Sequence, residues 1–193
     1  TSTIHRQSRR LPDKRVSENN KFAGTFMINS HRQKSATSNS GMVASVCPRA
    51  ASAGIRVLES GGNAFDAAIA VAGVEWLTNP SNCGLGGDTF AILYDATRDR
   101  MTAINGSGCA GTHARAELYV DQGFHQMPLT GWQASAIPGT PDACVTLNRE
   151  FGTRSLRDLL APAIECAEHG VIVSPSMKRE IDQSADKLRE FQF

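Results

Sequence analysis

Residues 61–107 read GGNAFDAAIAVAGVEWLTNPSNCGLGGDTFAILYDATRDRMTAINGS and contain the clearest succession of structural elements in the chain. The pattern indicates a helix, a glycine-rich loop, a strand, a turn and a second strand, in that order. Two corners are rich in glycine, Cys83–Asp88 before the first strand and Asn105–Gly108 after the second. Because glycine allows tight turns and close approach of other groups, we expect these corners to border a site.

The helix that opens this stretch is predicted to be buried. The glycine pair at 61–62 ends a preceding helix that begins at Pro48, since glycine accepts the left-handed conformation found after helix C-termini. Asn63 can cap the next helix, and Asp66 in its first turn complements the positive end of the helix dipole. Residues 64–77 are apolar nearly all round and mostly small, which predicts a position inside a layered domain.

The remaining sequence predicts a mixture of helices and strands. Met42–Val46 is a short apolar run of strand type. Thr89–Asp95 and Met101–Asn105 predict a hairpin with a five-residue connection. Other elements are predicted by spacing and capping, namely helices at His113–Tyr119, Asp142–Phe151, Ser155–Gly170 and from Ser174–Pro175 towards Phe193, and a short strand at Ala134–Ile137. This combination indicates an α/β (α+β) domain.

The first 40 residues differ in composition from the rest, so we predict a basic, poorly ordered tail at 1–40 and a domain at 41–193. The tail holds eight Lys or Arg against two Asp or Glu, a net charge of +6, while the other 153 residues hold twelve against seventeen, a net charge of −5. A basic tail can bind nucleic acid or an anionic membrane surface. This one lacks interleaved aromatic residues and helical periodicity, so we prefer a solvated tail without a nucleic-acid partner. Its Ser- and Arg-containing, acid-poor start is also typical of a transit peptide.

Cysteine usage favours a reducing compartment. The five cysteines, at positions 47, 83, 109, 144 and 166, form no CxxC pair and no even-numbered secreted framework. An odd number of scattered cysteines favours free thiols and hence a cytoplasmic location, although the compartment stays undetermined. The sequence has no apolar run of 18 residues, so we expect no membrane-spanning helix.

No freestanding motif identifies a reaction. The glycine loop at 84–88 follows a helix and opens a strand, whereas a dinucleotide-binding loop follows a strand and opens a helix, so a tight structural turn is the preferred interpretation. Cys109 and His113 would need hydrogen-bond contact to act as a nucleophile pair, and a small buried cysteine is the commoner role. The five histidines are too dispersed for a recognisable zinc site.

An ordered set of short segments resembles the γ-glutamyltransferase family. Each segment alone is unspecific, but their common order and spacing extend over about residues 41–176. The segments are Gly41–Ser45, Leu58–Asp66, Cys83–Asp88, Tyr94–Asp95, Ile137–Ala143, Phe151–Thr153, Leu159–Ile164, Ala167–Gly170 and Val173–Pro175. The chain is similar to the N-terminal part of this family's large subunit, closest to its amidohydrolase and acylase-like branch.

The resemblance implies the four-layer αββα fold of N-terminal-nucleophile hydrolases. In this family a precursor cleaves itself into a large and a small subunit, and the new N-terminal threonine of the small subunit attacks a γ-glutamyl or related amide. The present chain contains no Thr-Thr-His-type segment, so we expect no catalytic residue in it and no activity of this chain alone. The implied partners are the small subunit and a small-molecule amide, and we expect neither a cofactor nor a metal.

The resemblance also predicts three substrate-binding residues. Glutathione-using members place an arginine after the second strand, where it holds the α-carboxylate of the donor. Here the corresponding corner is Asn105, Gly106 and Ser107, with Ser107 in the place of the arginine. A hydroxyl cannot replace a bidentate guanidinium, so we predict an acyl donor that need not be an α-amino acid, as for cephalosporin acylases and oxamate-type amidohydrolases. The alternative is a non-catalytic fragment or degenerate homologue that serves as a scaffold or binding module.

Overall fold

The structure, a computed structural model, describes residues 35–190 of the 193-residue chain. Most of the predicted tail at 1–40 therefore lies outside the described residues. Between residues 35 and 190 the chain forms six α-helices, one two-stranded antiparallel sheet and a short 3₁₀ turn at Trp132–Ala134. The elements are α1 (Pro48–Glu59), α2 (Ala64–Thr78), β1 (Thr89–Asp95), β2 (Arg100–Gly106), α3 (Ala116–Asp121), α4 (Thr140–Phe151), α5 (Leu156–His169) and α6 (Pro175–Arg189).

Helix α2 is the centre of the packing, as its sequence predicts. It packs against α1, α4 and α5, and Ala70 and Val74 are completely buried. Its small residues allow close approach, because a Cβ on Gly54 of α1 would lie 2.7 Å from the Val71 side chain of α2. The apolar cluster around this contact also includes Ala163 of α5. Packing of small residues brings three helices together around one buried segment.

The predicted cap of α2 is present and extends further than its sequence indicates. Asn63 Oδ1 accepts a hydrogen bond from the Asp66 amide at 2.9 Å, and Asp66 Oδ2 accepts one from the Asn63 amide at 3.0 Å. Asp66 is completely buried and also accepts from the amide and hydroxyl of Thr153, with the hydroxyl at 2.5 Å. The capping box therefore ties the start of α2 to the α4–α5 connection.

The hairpin forms where the sequence predicts it. Its second strand, β2, is one residue longer at each end than predicted. Thr89 pairs with Gly106 at one end of the ladder, and Asp95 pairs with Arg100 at the other. One face packs on the core through Leu93, which contacts the cluster containing Ile69 and Leu147. The opposite face exposes Phe90, Ile92, Tyr94 and Met101.

Three predictions of local structure are wrong. Met42–Val46 has no strand conformation, because an apolar run becomes a strand only where a partner strand supplies hydrogen bonds, and none lies beside it in the described part. The predicted strand Ala134–Ile137 is reduced to a single bridge between Ile137 and Cys109. The helix predicted at His113–Tyr119 forms later, as α3, and has no buried residue.

The helices of the last third agree with the sequence. Ser155 and Ser174 cap α5 and α6, because their hydroxyl oxygens accept hydrogen bonds from the amides of Asp158 and Met177. Pro162 lies inside α5. Helix α4 begins at Thr140, two residues before the predicted start. None of the helices found between residues 35 and 190 combines the length and the apolar character that crossing a bilayer requires.

Candidate functional site

The two glycine-rich corners lie at the same end of the hairpin. Thr89, the first residue of β1, is the direct cross-strand partner of Gly106, the last residue of β2. The loop Cys83–Asp88 therefore enters the hairpin beside the point where the Asn105–Cys109 corner leaves it. Directly paired residues in an antiparallel ladder lie about 4.5–5.5 Å apart, so this pairing brings two segments distant in sequence into contact range.

A third segment closes against the second corner. The amide of Ile137 donates to the carbonyl of Cys109 at 2.9 Å. Gly108 has a φ of +72°, and a Cβ there would overlap the carbonyl oxygen of Ile137. A Cβ on Gly139 would likewise overlap the carbonyl oxygen of Gly106. The two backbones touch, which only glycine permits at these positions.

Thr140, the first residue of α4, joins this segment to the glycine loop. Its side chain is 1% exposed. Its hydroxyl donates to the Gly87 carbonyl at 2.9 Å, and its amide donates to the same oxygen at 3.2 Å. The Thr89 hydroxyl completes the group by donating to Thr140 Oγ1 at 2.9 Å. Thr140 therefore fixes the end of the glycine loop relative to the start of α4.

The glycine loop borders a pocket of about 510 Å³ that is largely open to solvent. The residues that line it are Pro80, Asn82, Cys83, Gly84, Gly86, Gly87 and Asp88. Asp88 is the one charged side chain among these lining residues. Backbone and polar groups make up most of the remaining wall.

The three predicted substrate-binding residues lie next to this pocket and not in its wall. Asn105 is exposed on β2, and its side-chain oxygen accepts a hydrogen bond from the Ser107 amide at 3.1 Å. Gly106 pairs with Thr89, one residue after the pocket residue Asp88. Ser107 is half-buried, and its hydroxyl has no hydrogen-bond partner among residues 35–190. The corner is thus a short Asx-type turn that leaves a hydroxyl available.

Cys83, which lines the pocket, is a poor nucleophile in this geometry. Burial raises the pKa of the Cys83 thiol, and the carboxylate of Glu75 raises it further. The thiol also donates to the Asn79 carbonyl at 3.4 Å. Burial and the Glu75 carboxylate therefore keep the Cys83 thiol protonated near neutral pH. The thiolate, and not the thiol, is the form that attacks a substrate. No hydrogen bond joins Cys109 to His113 in the described part of the chain, and both are exposed.

A second polar cluster stabilises the opposite end of α2. The carboxylate of Asp66 accepts hydrogen bonds from Asn63, Thr153 and Arg154, and Arg154 also donates to the Ser60 carbonyl. Burial alone would raise the pKa of Asp66, but these hydrogen bonds outweigh it and lower the pKa below the ordinary value of 3.8. Asp66 lies twelve positions before Thr78, the last residue of α2, which is about 18 Å along the helix axis. We therefore assign it to the fold and not to the site.

Comparison with known proteins gives a family match over most of the chain. The family model described as Gamma-glutamyltranspeptidase matches residues 50–192. A curated relative, the "Glutathione hydrolase-like YwrD proenzyme" of Bacillus subtilis (strain 168), is 35% identical over 156 residues, which is 80% of this chain and 29% of the relative.

Two solved structures have a similar fold. The Helicobacter pylori gamma-glutamyltranspeptidase matches with a TM-score of 0.77 and 26% identity, over 82% of this chain and 46% of that one. The cephalosporin acylase from Bacillus halodurans matches with a TM-score of 0.71 and 34% identity, over 76% of this chain and 27% of that one. The present chain thus spans less than a third of the curated relative and less than half of either solved chain.

Proposed function

Because this chain belongs to the gamma-glutamyltranspeptidase family, we propose that it supplies the N-terminal part of the large subunit of a self-processing amidohydrolase or acyltransferase. Its helices and hairpin are an α/β portion of the N-terminal-nucleophile hydrolase fold found in its structural neighbours. The name of the Bacillus subtilis relative, a proenzyme, supports processing of a precursor. The attacking threonine then belongs to the small subunit, and the present chain contributes one wall of the substrate site.

The proposed reaction breaks an amide bond in two steps. The threonine hydroxyl attacks the amide carbonyl, the C–N bond breaks, and the amine leaves with a proton. Water then hydrolyses the acyl ester and releases a carboxylic acid, or an acceptor amine takes the acyl group instead. A nucleophile at a chain terminus can use its own α-amine as the base, which explains why self-cleavage has to come first.

The observation that carries this proposal is the pairing of Thr89 with Gly106. It brings the two corners that resemble the family to one end of the hairpin. The close backbone contact between Gly106 and Gly139 adds the third family-like segment, Ile137–Ala143, to the same place. Segments separated by up to about fifty residues in sequence therefore lie against one another beside the pocket, which supports a shared site.

Ser107 defines the proposed substrate class. A guanidinium in this corner could bind a carboxylate through two parallel hydrogen bonds, whereas the Ser107 hydroxyl can form only one. Losing a charge-assisted contact typically costs about 1.5–3 kcal/mol, or roughly one to two decades of affinity. We propose that the acyl group of the preferred substrate lacks the α-carboxylate of a γ-glutamyl donor, and that Asn105, Gly106 and Ser107 border that acyl group.

A kinetic comparison tests this function. The complete, processed protein is assayed with glutathione and with simple amides that have the same leaving group but no α-carboxylate. We expect kcat/KM to be equal or higher for the simple amides. A preference for glutathione of more than about tenfold, equivalent to about 1.4 kcal/mol, would contradict the proposed substrate class.

A further inference from the structure

We propose that Thr140 is a positioning residue that sets the selectivity of the acyl site, the region beside Asn105, Gly106 and Ser107. Its amide and hydroxyl hold the end of the glycine loop at a fixed separation from the Asn105–Ser107 corner. The inference rests on the proposed function, which places an acyl group beside this corner. Thr140 is buried, so it acts through the residues that it holds and not by touching a substrate.

Helix α4 receives its N-terminal cap from the glycine loop. The residue before the helix, Gly139, has no side chain to accept a hydrogen bond, and Pro141 has no amide to donate one. The Thr140 amide donates instead to the Gly87 carbonyl at 3.2 Å, and the Thr140 hydroxyl donates to the same oxygen at 2.9 Å. The end of the loop therefore moves only together with the start of α4.

The hydroxyl of Thr140 also connects the helix to β1. Its oxygen accepts a hydrogen bond from the Thr89 hydroxyl at 2.9 Å while its own proton goes to Gly87. One buried hydroxyl thus holds the chain on both sides of Asp88 by acting as donor and acceptor at once. A valine at position 140 can form neither of these side-chain bonds, whereas a serine can form both.

The same turn of α4 holds the corner by shape. A Cβ on Gly106 would lie 2.7 Å from the Cβ of Ala143, and a Cβ on Gly139 would overlap the Gly106 carbonyl oxygen. At these distances the corner has no room to move towards the helix. The loop is bonded to this turn and the corner is packed on it, so the turn sets the separation between the two.

A fixed separation determines which acyl groups fit beside the corner. An acyl chain that is too short leaves part of a rigid site unfilled, and one that is too long requires the walls to move. Each methylene group in such a site changes kcat/KM by about tenfold or more. When the loop is free to move relative to the corner, it adapts to different chains and this discrimination decreases.

The test uses amides that differ only in the length of the acyl chain, from acetyl to hexanoyl, and share one chromogenic leaving group. Values of kcat/KM are measured for the complete, processed protein and for Thr140→Val. The ratio between the best and the poorest substrate is independent of the amount of folded enzyme, because that amount multiplies every rate equally. We expect a ratio of at least about tenfold for the unchanged protein and a ratio reduced by about threefold or more in Thr140→Val.

Three further variants separate positioning from stability. Thr140→Ser keeps the hydroxyl and is expected to restore the ratio. Thr153→Val removes a hydrogen bond at the other end of α2 and is expected to leave the ratio unchanged, even where it lowers the stability. Thr89→Val removes only the bond to the Thr140 hydroxyl and leaves the cap of α4, so it keeps the test available if Thr140→Val does not fold. It is expected to reduce the ratio by a smaller factor.

The outcomes distinguish the inference from the proposed function. An active protein with the same ratio in Thr140→Val, or with equal reductions in Thr140→Val and Thr153→Val, retains the proposed function and loses the positioning role of Thr140. An unchanged protein that hydrolyses the whole series equally well also contradicts that role. A protein that hydrolyses no amide contradicts the proposed function, and the inference with it.

Discussion

The hydroxyl of Thr140 donates a hydrogen bond to the carbonyl oxygen of Gly87 over 2.9 Å, across 53 residues of sequence. The bond joins the first turn of α4 to the end of the glycine loop. The donor lies in the protein interior, since Thr140 is 1% exposed. Much of the proposed site therefore depends on one small side chain on a helix that contributes no residue to the pocket wall.

Thr140→Val is expected to loosen the glycine loop, because valine keeps the shape of threonine but leaves the Gly87 carbonyl and the Thr89 hydroxyl without this partner. Losing a buried hydrogen bond costs about 1–3 kcal/mol. Hydrogen exchange of the complete protein should show faster exchange of amides in residues 83–89. Thr140→Ser, which keeps the hydroxyl, should restore slow exchange.

The matched control for Thr140 is Thr153→Val. Thr153 also donates its hydroxyl, but to the buried carboxylate of Asp66 at the other end of α2. This variant should speed exchange in residues 63–66 and leave residues 83–89 as they are. Equal effects of both variants on the glycine loop would indicate a general loss of stability and would contradict a positioning role for Thr140.

Asp66→Asn is expected to destabilise the fold by about 2–4 kcal/mol at neutral pH, since asparagine cannot accept all the hydrogen bonds that the buried carboxylate accepts. Urea denaturation of the complete protein measures this as a lower midpoint with unchanged slope. A midpoint within experimental error of the unchanged protein would show that the cluster around Asp66 contributes little.

The effect of Asp66 should depend on pH with a definite sign. Its pKa in the folded protein lies below the ordinary value of 3.8, so its stabilising contribution is fully present above 3.8 and is lost as pH falls through the lower, folded pKa. The stability difference between the unchanged protein and Asp66→Asn should therefore be constant from pH 7 to about pH 5 and shrink below pH 4. A difference that grows on acidification would contradict the lowered pKa.

Gly108→Ala is expected to disrupt the corner after β2. Gly108 has a φ of +72°, and an added Cβ would overlap the Ile137 carbonyl oxygen. A left-handed conformation alone costs a non-glycine residue about 1–2 kcal/mol, and the overlap adds to it. The matched control is Gly111→Ala, where an added Cβ meets no atom within 4 Å. Thermal unfolding of both variants should show a lower Tm for Gly108→Ala only, and equal Tm values would show that the corner is not held as described.

Ser107→Arg is expected to widen the substrate range of the complete, processed enzyme. An arginine in this corner restores a group that can bind an α-carboxylate through two hydrogen bonds, so kcat/KM for a γ-glutamyl donor should rise by about tenfold to a hundredfold. Ser107→Lys supplies the positive charge without the two parallel donors of a guanidinium, so it should give a smaller gain in kcat/KM. No gain with either variant would remove Ser107 from the proposed acyl site.

The local features of the fold could be predicted from the sequence because they depend on neighbouring residues. Asn63 caps α2 as expected, α5 and α6 begin directly after Ser155 and Ser174, where the sequence predicts helix starts, and the hairpin forms between the predicted strands. The apolar, small-residue character of α2 correctly indicated its burial. Periodicity and capping chemistry act over three or four residues, so one sequence is sufficient to recognise them.

The contacts that build the site could not be predicted in the same way. The bonds from Thr140 to Gly87 and from Thr153 to Asp66 join residues more than fifty positions apart. Threonine is common on protein surfaces, and nothing local marks these two as donors of long-range hydrogen bonds. The Met42–Val46 run failed as a strand for a related reason, because a strand needs a partner that its own residues do not specify.

The central claim is that this chain forms one wall of a site whose nucleophile comes from a second chain of the same precursor. Intact mass and N-terminal sequencing of the protein purified from its natural source test it most directly. We predict two associated chains, a larger one that contains residues 41–190 and a smaller one that begins with threonine. A single uncleaved chain, or a protein without any chain that begins with threonine, would contradict the account and favour a non-catalytic scaffold.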